Sequence, residues 1–473
     1  MFSNKAYWIL ISFLFGVLLL KGVNALDPDF GSHYKTGETI LRSGIPLSDP
    51  FSFTMPSFSP IDHAWILDIF LFWGQNNIGS TGLAIVFTMI VVATIVIATK
   101  RELRPFAIIP LVMAIPVLVS RTGVRTQIID WLFLILLIKI IRYKKWLPFF
   151  FLIWANLHGG FVLGFVILGI HTLCEFLQNK KTLFPNIFCF LLSFMTTFIT
   201  PYGWRMWLEV WTTMSDPYLK TYIVEWLPFW NTVEFGFLML STIVFTFGWI
   251  YRDKTSLFDK ITLVFLFLAS LSSLRHVPMF VIFSIPLASI MLKSFYEQSQ
   301  NFIYGKVRFI RMTRIMLTVV LIFSIWETRQ YDTQVKYPES AIGYLKNNLP
   351  KNDLFSEYGW GGYLIWKLPE KKVFIDGRMP SWRYNVWPFK DSLPNNESSW
   401  IFKDYMKVAY DGDYKDIFDK YQIDTVLLPT RSTQLSIFDK SQNQYSKLIQ
   451  NLKKDEWKEV YSDDVAIILQ RPF

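Results

Sequence analysis

The sequence predicts a polytopic α-helical membrane protein of about eleven to twelve spans, followed by a small C-terminal α/β domain on the outer side. Three observations predict it. Apolar runs of roughly spanning length recur along residues 6–326, in a chain that is 52% hydrophobic with mean hydropathy +0.31. Lysine and arginine collect in alternate loops between those runs. Beyond residue 326 the runs stop, and short strand and helix patterns follow. The expected boundaries are therefore 1–326 for the transmembrane domain, with a first outer loop at 25–79, and 327–473 for the soluble domain.

The apolar runs lie near 6–24, 80–99, 105–120, 127–141, 146–157, 161–178, 184–200, 232–251, 257–274, 278–294 and 311–326. The first, Tyr7 to Leu20, is either a cleaved signal with Val23-Asn24-Ala25 at its end or a retained anchor. The many further spans favour the anchor. A shorter stretch, "AWILDIFLFWGQ" at 64–75, carries Asp68 and reads as an interfacial helix or a twelfth span.

With the N-terminus inside, one set of loops holds Lys100, Arg101 and Arg104, then Arg142, Lys144 and Lys145, then Lys180 and Lys181, then Arg252 and Lys254. It ends with Lys306, Arg308, Arg311 and Arg314. That asymmetry puts the N-terminus in the cytoplasm and the C-terminal domain outside the cell membrane or in a lumen, and the expected location is the plasma membrane. It also accounts for the net charge of +10 without nucleic acid, for which no motif is present. Cys174 and Cys189 both sit in apolar runs and support neither a disulfide framework nor a zinc site.

Four of the five histidines and a set of charged residues then fall at outer span ends: Asp27, Asp29, His33, Asp62, His63, Arg121, Arg125, His158, Glu225, Arg275 and His276. Polar groups at the membrane edge mark sites or water-filled cavities, so these residues suggest one outward-facing cleft. "LDPDFGSHYKTGE" leads into a helix over Ser32 to Leu41 that closes at Gly44. One aspartate there is explained by helix capping, but two flanking a proline suit a divalent cation or an acceptor proton. "RTGVR" puts Arg121 and Arg125 four apart in an outer loop, where they either snorkel or hold phosphate oxygens. "WANLHGGF" reads as tight packing around a structural His158, or as a further phosphate contact. In "YLKTYIVEWLPFW" the aromatic neighbours of Glu225 raise its pKa or position it against a ligand. "SLRHVPMF" offers Arg275 and His276 as an anion or substrate anchor.

In the tail, the glycines of "EYGWGGYLIW" predict a tight turn before a strand at 363–366, and "KKVFIDGR" a strand and turn. "IDTVLLP" at 423–429 and "DVAIILQ" at 464–470 read as strands, and 339–348 and 443–453 as helices. Asn396-Glu397-Ser398 matches a glycosylation acceptor triplet.

Taken in order, these motifs resemble the GT-C superfamily of membrane glycosyltransferases, and in particular the catalytic subunit of oligosaccharyltransferases. The resemblance implies a GT-C-like fold and transfer of a sugar or oligosaccharide from a polyprenyl-(pyro)phosphate carrier to an outer acceptor, either protein or glycan. It implies Asp29, Asp27 and Glu225 as catalytic residues, with Asp29 the better candidate for the acid. Arg121, Arg125 and His158 would hold the donor phosphate. Arg275, His276, Trp360 and Asp376 would meet the acceptor. Any metal, Mg2+ or Mn2+, would sit at Asp29 and Glu225, with no other cofactor. Where the family has a second acidic motif, "SRTGVRTQ" carries arginines, and the tail lacks the family's Trp-Trp-Asp core. Two rivals remain: a monosaccharide transferase modifying lipid or polysaccharide, and a non-catalytic membrane scaffold or flippase partner.

Overall fold

The computed structural model describes residues 3–299, 318, 336–384, 394, 396–430 and 444–472. The run expected at 311–326 therefore lies outside the described residues, apart from Thr318. The chain divides into two compact units, Met1–Ala25 with Ile78–Asp332, and Leu26–Asn77 with Thr333–Phe473. We call them the helical unit and the sheet unit.

In the helical unit every described apolar run forms a helix. Five are long and apolar enough to cross a membrane: Asn4–Asn24, Gly79–Ala98, Arg101–Arg121, Phe161–Gln178 and Leu274–Ser299. At about 1.5 Å per residue, 20 residues match the roughly 30 Å hydrocarbon core. The remaining runs form shorter helices, Ile128–Ile140, Leu147–Leu157, Leu183–Thr196, Phe235–Ile250 and Leu257–Ser272. Helices 104–121 and 277–299 pack on each other and are apolar and buried almost all round. They form the centre of the unit. Small residues let backbones close in, as membrane packing requires: a Cβ on Gly22 would lie 3.1 Å from that of Ala84. Arg104 stacks its guanidinium over Tyr7 and Trp8, at 5.5 and 4.8 Å.

The sheet unit carries a four-stranded sheet in the order β1-β2-β4-β3. β1 (Asp353–Ser356) runs parallel to β2 (Ile423–Pro429), β2 is antiparallel to β4 (Ala466–Gln470), and β4 to β3 (Lys458–Ser462). Helices Glu339–Asn347 and Ser446–Lys454 stand where the periodicity predicts them. The strand expected at 363–366 is instead a helix, Gly361–Lys367. Its glycines serve close approach rather than a turn. A Cβ on Gly362 would run into the Pro28 carbonyl, and one on Gly31 into that of Gly362. "KKVFIDGR" contributes only an isolated bridge, Val373 to Ser52, and β1 and β3 are strands that the pattern does not announce.

The loop expected at 25–79 in the transmembrane domain packs instead with the C-terminal residues. Helix Phe30–Ser43 packs on helix Trp65–Asn77 and on Gly361–Lys367, where Phe30 and Tyr34 meet Trp366 at 5.3 and 5.7 Å. The 64–75 stretch thus belongs to the sheet unit.

Candidate functional site

The residues singled out in the sequence fall into two groups, one within each unit. In the sheet unit, Asp29 occupies the N-cap position of helix Phe30–Ser43, but its side chain makes no capping hydrogen bond. Asp27 does the local work. Its Oδ1 accepts the backbone N–H of Asp29 at 3.0 Å, closing the turn around Pro28. The helix ends at Gly44, whose φ of +84° a side chain would resist. The Asp29 carboxylate lies against Gly377, where any Cβ would collide with it.

One helical turn on, His33 Nδ1 meets Asp68 Oδ1 at 2.7 Å. Asp68 is 1% exposed. Burial alone would lower the His33 pKa, but Asp68, Asp29 and Asp62 outweigh it and raise it to about 10. Asp62, which accepts the Ala64 N–H at 2.8 Å, is pushed well above the ordinary carboxyl range by burial and by Asp68. The group is an imidazolium among carboxyls, with acids in excess.

Two residues expected at the acceptor are placed otherwise. Asp376 is 0% exposed and grips Arg378 through Nε and Nη2 at 2.8 and 2.6 Å, while Arg378 Nη1 reaches Asp49 at 3.0 Å. That fork fixes the backbone of Gly377 beneath Asp29. Trp360 is 0% exposed, in the core of the unit, with Nε1 donating to the Lys336 carbonyl at 3.0 Å. Neither presents a surface to a ligand.

In the helical unit, a short turn at Val224–Trp226 carries Glu225. Arg125 Nη1 lies 3.0 Å from Glu225 Oε1, and Arg275 lies over the Trp226 ring at 5.1 Å. The backbones lock together: Ser273 Oγ donates to the Glu225 carbonyl at 3.0 Å and Leu274 N–H to Leu227 at 2.9 Å. Burial would raise the Glu225 pKa, but Arg125, Arg275 and Arg121 outweigh it and hold it below the usual value. This reverses the sequence expectation, because the arginines and not the aromatic rings dominate the surroundings. Glu225 is an anion held by cations.

Arg121 is occupied. Its Nη2 lies 2.5 Å from Glu234 Oε1, and Glu234 is fully buried. The Arg275 guanidinium, by contrast, makes no hydrogen bond or ion pair among the described residues. The adjacent His276 has a buried Nδ1 with no partner among the described residues. His158 is the structural histidine of the sequence alternatives: its Nδ1 is 2.5 Å from Asp130 Oδ2, both groups are buried, and Trp154 Nε1 donates to the same aspartate at 2.8 Å. A phosphate-binding role for His158 does not fit that pairing.

Sequence reasoning passed over Glu234, Asp130, Asp49 and Arg378. Of these Asp130 alone carried a local signal, a carboxylate inside an apolar run, which needs a partner. Among the described residues no group of three or more His, Cys, Asp or Glu side chains is arranged to hold a metal ion. Of the two residues expected at a metal, Asp29 belongs to the sheet unit and Glu225 to the helical unit.

No family model matches the chain, and no curated protein matches it. Solved structures do. The archaeal oligosaccharyltransferase AglB from Archaeoglobus fulgidus, in complex with an inhibitory peptide and a dolichol-phosphate, matches with a TM-score of 0.61 at 10% identity. The match covers 89% of this chain and 69% of that one. The apo form of the Archaeoglobus fulgidus oligosaccharyltransferase gives 0.56 at 11% identity, over 90% and 69%. At such identity the likeness speaks for the fold. The chain is an integral membrane protein with a fold like that of the archaeal oligosaccharyltransferase AglB.

Proposed function

We propose that this protein transfers a sugar or oligosaccharide from a polyprenyl-(pyro)phosphate carrier to an acceptor at the outer face of the membrane, with its N-terminus cytoplasmic. The observation that carries the reading is the arginine-rich group around Glu225. Among the described residues Arg121 pairs with Glu234 and Arg125 with Glu225, while the Arg275 guanidinium lies over the Trp226 ring and makes no hydrogen bond or ion pair. An excess cation at the edge of an apolar helical unit suits the phosphate of a lipid carrier. Arg275, expected at the acceptor, fits the donor better, together with Arg125. The fold likeness adds to this, since the AglB structure holds a dolichol-phosphate and a peptide.

In the reaction, the bond between the sugar's anomeric carbon and the phosphate oxygen breaks, and a bond from that carbon to the acceptor forms. The acceptor's proton passes to a carboxylate, for which Asp29 is the candidate. The departing phosphate carries away the bonding electron pair, and guanidinium groups stabilise it. Asp27, spent on its turn, supports Asp29 and does not act on the substrate. Membrane lipids and the lipid-linked donor are the expected partners, and a divalent ion is tested by chelation.

A second reading is favoured by one observation. Trp360 and Asp376, the tail residues that the resemblance assigns to the acceptor, are both fully buried. An enzyme without a peptide-recognising tail would modify a lipid or polysaccharide. Mass spectrometry of glycoproteins and glycolipids from cells lacking the protein separates the two. In a transfer assay, Asp29→Asn should lower turnover by about 100-fold while the protein stays folded and inserted. Full activity of that variant, with or without a chelator, would end the catalytic reading.

A further inference from the structure

Helix Phe30–Ser43 has Asp29 at one end and, toward the other, a cavity of about 330 Å3 lined by basic side chains. Lys35 and Arg42 come from the helix, and Lys371 and Lys372 from the segment that follows Pro369. The one carboxylate in the lining is Glu38. Both of its oxygens are taken, one by Lys35 and one by Arg42 Nη2 at 2.8 Å. Lys371 Nζ donates to the Asn352 carbonyl at 2.8 Å, and exposed Lys372 makes no hydrogen bond or ion pair among the described residues. Asp353 lies close enough to feel both lysines, and cations still outnumber carboxylates by four to two.

The bland explanation is helix-end electrostatics. A cation in the last turn of a helix is favoured by the dipole. That accounts for Arg42. It does not account for Lys371 and Lys372, which arrive from a separate segment. Nor does it explain the rest of the lining, where Pro50, Phe51, Ile365 and Pro369 supply an apolar wall. Multiple ammonium and guanidinium donors suit an anion with several oxygens, and an apolar wall suits the C–H face of a ring or a glycerol backbone. The volume exceeds a bare phosphate and falls in the range of small-ligand sites, from about 300 Å3 upward.

We propose that this cavity binds a polyol or sugar phosphate, either free or presented as the headgroup of a glycerophospholipid. The site lies wholly within the sheet unit and does not depend on the transfer reaction proposed above.

The test uses the full chain in uncharged detergent, titrated with glucose 1-phosphate and, in parallel, with glucose. A second arm replaces part of the detergent with phosphatidylglycerol. Saturable binding of glucose 1-phosphate, absent for glucose and weakened at least about tenfold by Lys372→Glu, supports a free sugar phosphate. Binding of phosphatidylglycerol alone, with the same sensitivity, supports the headgroup. Lys346→Glu, an exposed lysine outside the cavity, should change neither arm. Absence of phosphate-dependent binding in both arms overturns the proposal, and so does equal weakening by Lys346→Glu, which would mark diffuse attraction to a basic surface.

Discussion

The two polar groups of this molecule are built with opposite charge balance. Among the described residues of the helical unit, Arg125, Arg275 and Arg121 act on Glu225, and that carboxylate is driven toward its ionised form. In the sheet unit, Asp29, Asp62 and Asp68 surround one histidine, and the base is driven toward its protonated form. Each minority group is held charged by its majority, so both charges persist at neutral pH. The lesson is that burial does not decide the state of these groups. Desolvation opposes the charge in both cases, and in both the neighbours win.

The largest effect expected from breaking this pattern is at Glu234. It is fully buried and pairs with Arg121, itself only 11% exposed. Removing one partner leaves the other as an uncompensated charge, which typically costs about 3–5 kcal/mol. Glu234→Ala should therefore lower the thermal midpoint of the detergent-solubilised protein sharply, while Arg121→Met with Glu234→Gln together should recover much of the loss. An unchanged midpoint in Glu234→Ala would show that water reaches Arg121.

Next in size are the arginines that the donor would meet. Arg275→Ala and Arg125→Ala should each weaken binding of a polyprenyl phosphate by about 1–3 kcal/mol, the scale of a charge-assisted contact. Arg121→Met with Glu234→Gln should leave it nearly unchanged, because Arg121 is already spent. If the paired variant weakens donor binding as much as Arg275→Ala, the contrast between the paired Arg121 and Arg275 is wrong.

In the sheet unit the same contrast is sharpened by pH. The His33 pKa is raised from an ordinary 6.5 to about 10, so the folded state binds its proton more tightly than the unfolded chain. Its stabilising contribution is complete below about pH 6.5 and is lost as pH rises through 10. Asp62, also raised, acts with the same sign: ionising it costs the folded state. Thermal stability should therefore fall between pH 7 and 10, and His33→Gln should flatten that slope. A slope in His33→Gln equal to wild type would assign the alkaline loss to other groups.

How legible these groups were in the sequence follows from what each residue pairs with. Arg121 and Arg125 stood out because basic residues in an outer loop contradict the topology rule, and Glu225 because it interrupts an aromatic stretch. Their direction of influence was misjudged, since the pairing across 100 residues that depresses the Glu225 pKa leaves no local trace. For His158 the sequence leaves a structural and a phosphate-binding reading open, and Asp376 enters as an acceptor contact only through the family resemblance. Their partners, Asp130 and Arg378, turned them into struts. The helices of the described apolar runs were legible from run length, while helix Arg205–Ser215, in a stretch that reads as an outer loop, was not. The 361–367 helix was not, because "GWGG" suggests a turn until the backbone of Pro28 and Gly31 is brought against it.

The smallest expected effect separates the two aspartates that the sequence could not rank from geometry. Asp27 accepts one backbone hydrogen bond from Asp29, and asparagine offers an equivalent oxygen. Asp27→Asn should therefore keep the turn and reduce transfer little. Asp27→Ala removes the acceptor and should cost about 1 kcal/mol of stability, the usual value of a turn or cap contact. The Asp29 side chain does not cap its helix, so Asp29→Asn should keep the helix start and lower turnover by about 100-fold. The two residues then differ in kind: at Asp27 the oxygen matters and the charge does not, and at Asp29 the charge matters. Measuring thermal midpoint and turnover for all three variants decides it. A loss of turnover in Asp27→Asn as large as in Asp29→Asn would mean that the carboxylates act together, and the ranking of Asp29 over Asp27 would fall.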